Sequence, residues 1–181
     1  MPTRRPRWDV LIVCTANYCR SPYLAGVMRG ALPELRIASA GTAALVGEPV
    51  NPRVARLLET RGLREPVDLP QQLTGALLRS SRLVITAERG HRLEALEHDR
   101  TAANRTVTLK ELARLLTGAP TGIGIDAALR LVAERWAAAD DVDHDDDLAD
   151  PYRRSWAHYR RLGDEVDAAL AVIVPVLRSQ P

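Results

Sequence analysis

The stretch Trp8-Asp9-Val10-Leu11-Ile12-Val13-Cys14-Thr15-Ala16-Asn17-Tyr18-Cys19-Arg20-Ser21-Pro22 sets an apolar run, a short polar loop and a helix start in direct succession. Residues 8–13 have the compact apolar character of a strand buried on both faces. Ser21 reads as a helix N-cap and Pro22 as a first-turn residue, opening a helix that extends to residue 32. Strand, tight loop and helix in that order turn main-chain N–H groups, and the positive end of a helix, toward whatever occupies the loop.

Outward from this unit the pattern alternates. Strands are predicted at 35–39, closed by Ala40-Gly41-Thr42, and at 83–86 and 106–109. Helices are predicted at 52–61 with Gly62 as the stop, 73–78, 88–97, after the 106–109 strand as far as 116, 123–138 and 155–174. Alternating strands and helices imply an α/β fold with a parallel sheet covered on both faces. The length of 181 residues fits one domain over 1–181, with a basic arm at 1–7 expected to be flexible.

Composition excludes several classes. With 46% hydrophobic and 27% charged residues, the chain is neither disordered nor fibrous. Its 25 basic and 23 acidic side chains nearly balance, which argues against a nucleic-acid partner. The longest apolar run, 168–177, is too short to span a bilayer and contains Pro175, so no membrane partner is expected. The N-terminal residues lack the apolar stretch and cleavage site of a signal peptide. A cytoplasmic location follows, with export by another route left open. Cys14 and Cys19 lie too close together to staple a domain, and chemistry is left to explain them.

That chemistry resides in residues 14–20. A loop of this length can curl so that successive amides converge on one anion, the nest geometry that binds phosphate. Arg20 adds a planar fork for two phosphate oxygens. Cys14 sits below the same point, where helix end, amides and guanidinium all favour the thiolate, and Ser21 is placed to donate a further hydrogen bond to it. Asn17 suits a left-handed residue in the middle of the loop. Metal readings fail. Asp141, Asp143 and Asp145 start a calcium-loop spacing, but Asp146 replaces the needed glycine and Tyr152 the closing glutamate; His144 does not complete a site. Cys14 and Cys19 lack a second ligand pair for zinc. Gly122-Ile123-Gly124 lacks the strand and third glycine of a dinucleotide site. No metal and no cofactor is expected.

Cys14-x5-Arg20-Ser21, with Asn17 mid-loop and Cys19 just before Arg20, resembles the low-molecular-weight protein tyrosine phosphatases. Ser39-Ala40-Gly41-Thr42 and Asp150-Pro151-Tyr152 are similar to two further motifs of that family, so the resemblance covers nearly the whole chain. It implies a four-stranded parallel, flavodoxin-like doubly wound sheet with the phosphate loop after the first strand. It implies Cys14 as nucleophile, Arg20 as anion clamp and Asp150 as general acid, acting on phosphotyrosine in proteins with an acidic to neutral optimum. Phosphate binding falls to Thr15, Ala16, Asn17, Tyr18, Cys19, Arg20 and Ser21, and loop support to Asn17, Ser21 and Ser39. Tyr18, Leu45 and Tyr152 become pocket walls. Tyr18 stands where relatives acting on phosphoarginine carry threonine, so the chain looks more like a phosphotyrosine enzyme. Through the resemblance, Cys19 gains a role as disulfide partner shielding Cys14 from irreversible oxidation.

The sequence also departs from the family. The segment Ala43-Ala44-Leu45-Val46 lacks a rim tryptophan, Glu88 replaces a common aspartate, and helix 123–138 is an addition. The acidic run 140–150 reads either as a solvated loop or as a source of like charge that raises the Asp150 carboxyl. Two other functions share the loop: an arsenate reductase using a small-molecule thiol, and a non-catalytic phosphate or phosphopeptide reader. Oligomeric state and physiological substrate stay open.

Overall fold

A computed structural model describes residues 7–63, 69–138 and 145–178. Residues 1–6 of the basic arm, and Asp140, Asp141, Asp143 and His144 of the acidic run, lie outside the described residues. The elements run β1 (Trp8–Cys14), α1 (Arg20–Ala31), β2 (Ile37–Gly41), α2 (Pro52–Glu59), α3 (Gly75–Arg79), β3 (Ser81–Thr86) and α4 (Arg89–His98). A 3₁₀ turn (Arg100–Arg105), β4 (Thr106–Thr108), α5 (Leu109–Leu116), α6 (Gly124–Ala138) and α7 (Trp156–Leu177) complete them. The four strands form one parallel sheet in the order β2-β1-β3-β4. This is the expected flavodoxin-like doubly wound fold.

Strand β1 is central, paired on one side with β2 and on the other with β3, so every residue from Val10 to Cys14 is buried. Its side chains alternate between two cores. Val10, Ile12 and Cys14 pack with residues of α1, α2, α5, α6 and α7, while Leu11 and Val13 pack with Leu78 and Ala95 from α3 and α4. Because the chain leaves β1 toward β2 on one side and returns to β3 on the other, the carboxyl end of β1 is the sheet's switch point, where open α/β folds bind ligands.

Several boundaries differ from the sequence expectation, each for a local reason. Strand β2 is displaced toward Gly41, because its register sets Ile37 beside Val10 and Gly41 beside Cys14. Helix α1 begins at Arg20 with Cys19 in the N-cap position, and Ser21 is not the cap. The Ser21 hydroxyl is engaged inside the loop instead, and Pro22 is tolerated because first-turn amides have no helical partner. Helix α7 continues through Pro175 to Leu177. Missing one N–H three residues from the helix end costs little there, and the Pro175 carbonyl accepts from the Gly122 amide at 2.8 Å. Helix α6 is part of the core: Ile125, Ala128 and Val132 are buried, and the Trp136 indole donates to Glu111 at 2.7 Å. Among the described residues no helix is long and apolar enough to cross a membrane.

Candidate active site

The loop between β1 and α1 is shaped by its carbonyls. Those of Cys14, Thr15, Ala16 and Tyr18 accept from the amides of Thr42, Ala43, Leu45 and Asn51 at 2.9–3.1 Å. In a planar trans peptide the N–H points opposite to the C=O. The amides of Thr15, Ala16, Asn17 and Cys19 therefore face away from that segment. Asn17 takes the left-handed conformation its position predicts, with φ of 51°. Its side chain is a strut: Nδ2 donates to Ser21 Oγ at 2.9 Å and to Ser39 Oγ at 2.8 Å, and Oδ1 accepts from the Gln71 amide at 2.9 Å. Gln71 in turn donates to the Ser39 carbonyl at 2.8 Å.

Gly41 explains its motif. A Cβ there would lie 2.5 Å from the Thr15 carbonyl oxygen, 2.8 Å from Asn17 N and 2.9 Å from Ala16 C, all of them main-chain atoms. Only glycine lets β2 approach the loop this closely. Gly41→Ala is expected to cost about 2 kcal/mol of stability by overpacking and to weaken inhibition by inorganic phosphate. Urea denaturation and phosphate inhibition constants check both effects.

The Cys14 sulfur is buried at the base of the loop, 3.0 Å from Ser21 Oγ. Arg20 is equally buried, 3% exposed as a residue, and its guanidinium is shared among several acceptors. Nη1 pairs with Glu88 Oε1 and donates to the Leu148 carbonyl at 3.1 Å. Nη2 reaches Asp150 Oδ2 at 3.1 Å and Thr15 Oγ1 at 3.4 Å. A buried guanidinium is costly unless its charge is matched, and Glu88 and Asp150 match it. Asp150 Oδ1 accepts from the Tyr152 amide at 3.1 Å, which turns the segment after Asp150 back toward the pocket.

The pocket has a volume of about 280 Å³ and is lined by Cys14, Thr15, Ala16, Tyr18, Cys19, Arg20, Leu45, Asp150 and Tyr152. The rings of Tyr18 and Tyr152 meet edge to face, with centroids 5.8 Å apart. All three expected wall residues thus reach one cavity. Cys19 packs inward, 3.8 Å from the Tyr159 hydroxyl, and burial pushes its thiol up to about 12.

Three participants escaped sequence reading. Glu88 stood out only as a substitution, Gln71 not at all, and His91 merely as a residue of a helix. His91 is buried and its Nε2 lies 2.7 Å from Thr15 Oγ1, so it abuts the loop from α4. The signal available was position: Glu88 and His91 follow the carboxyl end of the strand next to the switch point. Burial, reinforced by the Arg20 guanidinium, pushes the His91 imidazole from 6.5 down to about 4. The unfolded chain thus binds the proton near 6.5 and the folded chain only near 4. Stability conferred by neutral His91 is complete above the upper value and is lost as pH falls toward the lower, by up to about 3 kcal/mol. Denaturant midpoints at pH 7.5 and pH 4.5 should therefore separate more in the wild type than in His91→Gln; equal separation contradicts this account.

The acidic run is no freely solvated loop where it is described. Asp146 is buried and accepts from Arg114 at 2.8 Å, and Asp147 accepts from the Arg89 amide at 2.7 Å. Leu148 donates to the Ala87 carbonyl at 2.8 Å. These bonds hold the approach to Asp150 against α5, α4 and the end of β3.

A sequence profile described as "Low molecular weight phosphotyrosine protein phosphatase" matches residues 9–118. The chain belongs to this family. It is 37% identical over 83 residues to a probable low molecular weight protein-tyrosine-phosphatase, AmsI, of Erwinia amylovora, covering 46% of this chain and 58% of the relative. A second relative, the probable phosphatase EpsP of Ralstonia solanacearum, is 37% identical over 76 residues, covering 42% and 52%. The chain thus spans little more than half the length of these curated relatives. Among solved structures, the tyrosine phosphatase AmsI of Erwinia amylovora superposes with a TM-score of 0.71 at 23% identity, covering 94% of this chain and 95% of that one. The YwlE arginine phosphatase from Geobacillus stearothermophilus gives 0.70 at 24%, covering 92% and 90%. These similarities establish the shared fold of this low-molecular-weight phosphatase family member. Asp150 lies beyond the matched segment, and the tertiary structure is what brings it to Arg20.

Proposed function

We propose that this chain hydrolyses phosphotyrosine in proteins through a cysteinyl-phosphate on Cys14. One observation carries the reading. Cys14 and Arg20 from the loop, and Asp150 from far along the chain, line a single pocket with aromatic walls.

The phosphate enters above Cys14, where Arg20 and the inward-turned amides of the loop hold its oxygens. A dianion competes with Asp150 for Arg20 Nη2, so substrate binding releases Asp150 toward the ester oxygen. The Cys14 thiolate attacks phosphorus, the bond to the phenolic oxygen breaks, and Asp150, which takes up a proton from solvent once it leaves Arg20, gives that oxygen the proton. In the second half Asp150, now a carboxylate, takes a proton from water. The water oxygen bonds to phosphorus, the S–P bond breaks, and Cys14 returns as thiolate with inorganic phosphate released. Ser21 hydrogen-bonds the sulfur that leaves, and Asn17 with Ser39 keeps the loop in register.

The walls favour an aryl ester. Tyr18 and Tyr152, in edge-to-face contact, give the pocket an aromatic wall that a bare oxyanion such as arsenate does not need. The same aromatic wall supports phosphotyrosine over phosphoarginine. A cytoplasmic setting, where thiols stay reduced, suits a buried catalytic cysteine. The deciding assay is release of inorganic phosphate from a phosphotyrosine peptide and from p-nitrophenyl phosphate. Thiol-dependent arsenate reduction without phosphate release would establish the reductase instead, and binding without any turnover would establish a reader.

A further inference from the structure

Beyond Tyr152 the active-site rim continues into a second groove of about 580 Å³, lined by residues that include Asn51, Arg53, Tyr152, Arg153, Arg154 and Tyr159. Tyr152 belongs to both cavities. A peptide whose phosphotyrosine enters the first lays neighbouring residues over the second.

The positive charge there is uncompensated. Elsewhere on the surface arginines meet carboxylates: Arg36 and Arg82 pair with Asp9, Arg61 with Asp167, Arg114 with Asp146 and Arg161 with Glu165. Among the described residues no carboxylate lies within ion-pair distance of Arg53, Arg153 or Arg154. Arg53 instead donates to the Arg154 carbonyl and lies over the Tyr159 ring at 5.6 Å, which ties the segment after Asp150 to α2. Arg153 has φ of 59°, a conformation that L side chains adopt at a cost. Its guanidinium lies 5.1 Å from the centroid of the Tyr152 ring, at the pocket wall itself. Ser155, the N-cap of the 22-residue helix α7, opens into the same groove and adds the helix's positive end. The charge is also one-sided: on the Tyr18 side an acid, Glu48, lies near enough to act on the ring hydroxyl.

We propose that this groove is an anion subsite, through which the phosphatase selects phosphoprotein segments carrying an acidic side chain or a second phosphate close to the phosphotyrosine. The inference rests on the phosphotyrosine hydrolase reading above. Guanidinium forks suit carboxylate and phosphate alike. Because the arginines are exposed, each contact is modest and screened by salt. Two such contacts correspond to about a fivefold gain in kcat/KM at low ionic strength.

Three phosphotyrosine peptides test this, with glutamate, glutamine or a second phosphotyrosine at the flanking positions on either side. At low salt the wild type should turn over the glutamate or doubly phosphorylated peptide about fivefold better than the glutamine peptide, with the gain shrinking as salt rises. In Arg153→Gln/Arg154→Gln the ratio should fall to about one. A gain with only one of the two anionic peptides supports the subsite and shows which anion it takes. Equal kcat/KM for all three in the wild type overturns it. The affinity of Cys14→Ser for the same peptides provides a reading independent of turnover, and equal affinities overturn the subsite there as well. Loss of hydrolysis for every peptide and for p-nitrophenyl phosphate strikes the hydrolase reading itself, while the affinity comparison still decides the subsite.

Discussion

Cys14→Ser is expected to lower turnover of p-nitrophenyl phosphate by about 10⁴-fold or more while phosphate binding persists. A serine hydroxyl is a far weaker nucleophile than a thiol unless a base takes its proton, and among the described residues no general base lies within hydrogen-bond distance of this position. The 3.0 Å neighbour of the sulfur is the Ser21 hydroxyl, which itself accepts from Asn17. The loop should survive the change because its shape rests on other bonds: the four outward carbonyls, the Asn17 strut and the Gly41 approach. Binding of a nonhydrolysable aryl phosphonate measured calorimetrically should therefore stay within about threefold of the wild type, consistent with a conservative change outside the anion-binding groups. Turnover retained within tenfold would remove Cys14 as nucleophile. Lost binding together with lost turnover would mean the loop had collapsed.

Asp150→Asn has the second-largest expected effect, a fall in kcat of about 10²- to 10³-fold on phosphotyrosine peptides. The loss should be smaller for p-nitrophenyl phosphate, whose leaving group needs a proton less. That difference between substrates marks a proton donor, since a purely structural defect slows both equally. The free protein adds a further expectation. Asp150 pairs with the buried Arg20 at 3.1 Å, so removing its charge leaves Glu88 as the remaining carboxylate on that guanidinium. Inorganic phosphate then no longer competes with Asp150 and should inhibit Asp150→Asn at least as well as the wild type. Weaker phosphate inhibition would show that Asp150 holds Arg20 in place for the anion.

The two experiments probe the halves of the site that differ most in how they could be foreseen. Residues 14–21 are contiguous, and local physics dictates their arrangement. A buried strand must end, a helix must begin with unpaired amides, and Asn17 is the residue that takes positive φ between them. The positions of Cys14, Arg20 and Ser21 around one loop were therefore legible from the order of residue types. The Asp-Pro-Tyr segment was legible only through its likeness to a family motif. Nothing local says that Asp150 reaches Arg20, and the bonds that bring it there involve Ala87, Arg89 and Arg114 from other parts of the chain.

The misplacements have the same origin. Ser21 looks like an N-cap by residue type, yet the Cys14 sulfur and the Asn17 amide claim its hydroxyl first. Pro175 looks like a helix stop, yet α7 is anchored by buried residues on both sides of it and loses one hydrogen bond only. The acidic run looks solvated because six aspartates crowd together, but pairing depends on arginines far away in sequence.

By itself, the sequence determined the alternation of strands and helices, the switch-point loop and the placement of Cys14 and Arg20 within it. These follow from interactions within a few residues, where residue type and spacing are sufficient. Tertiary structure alone decided that Glu88 and Asp150 share the Arg20 charge, that His91 stays neutral against Thr15, and that among the described residues Arg153 and Arg154 have no carboxylate within ion-pair distance. Each of these depends on which distant side chains the packed sheet and helices bring within a few ångströms, and charge and proton affinity are set by such neighbours and by burial rather than by the order of residues along the chain.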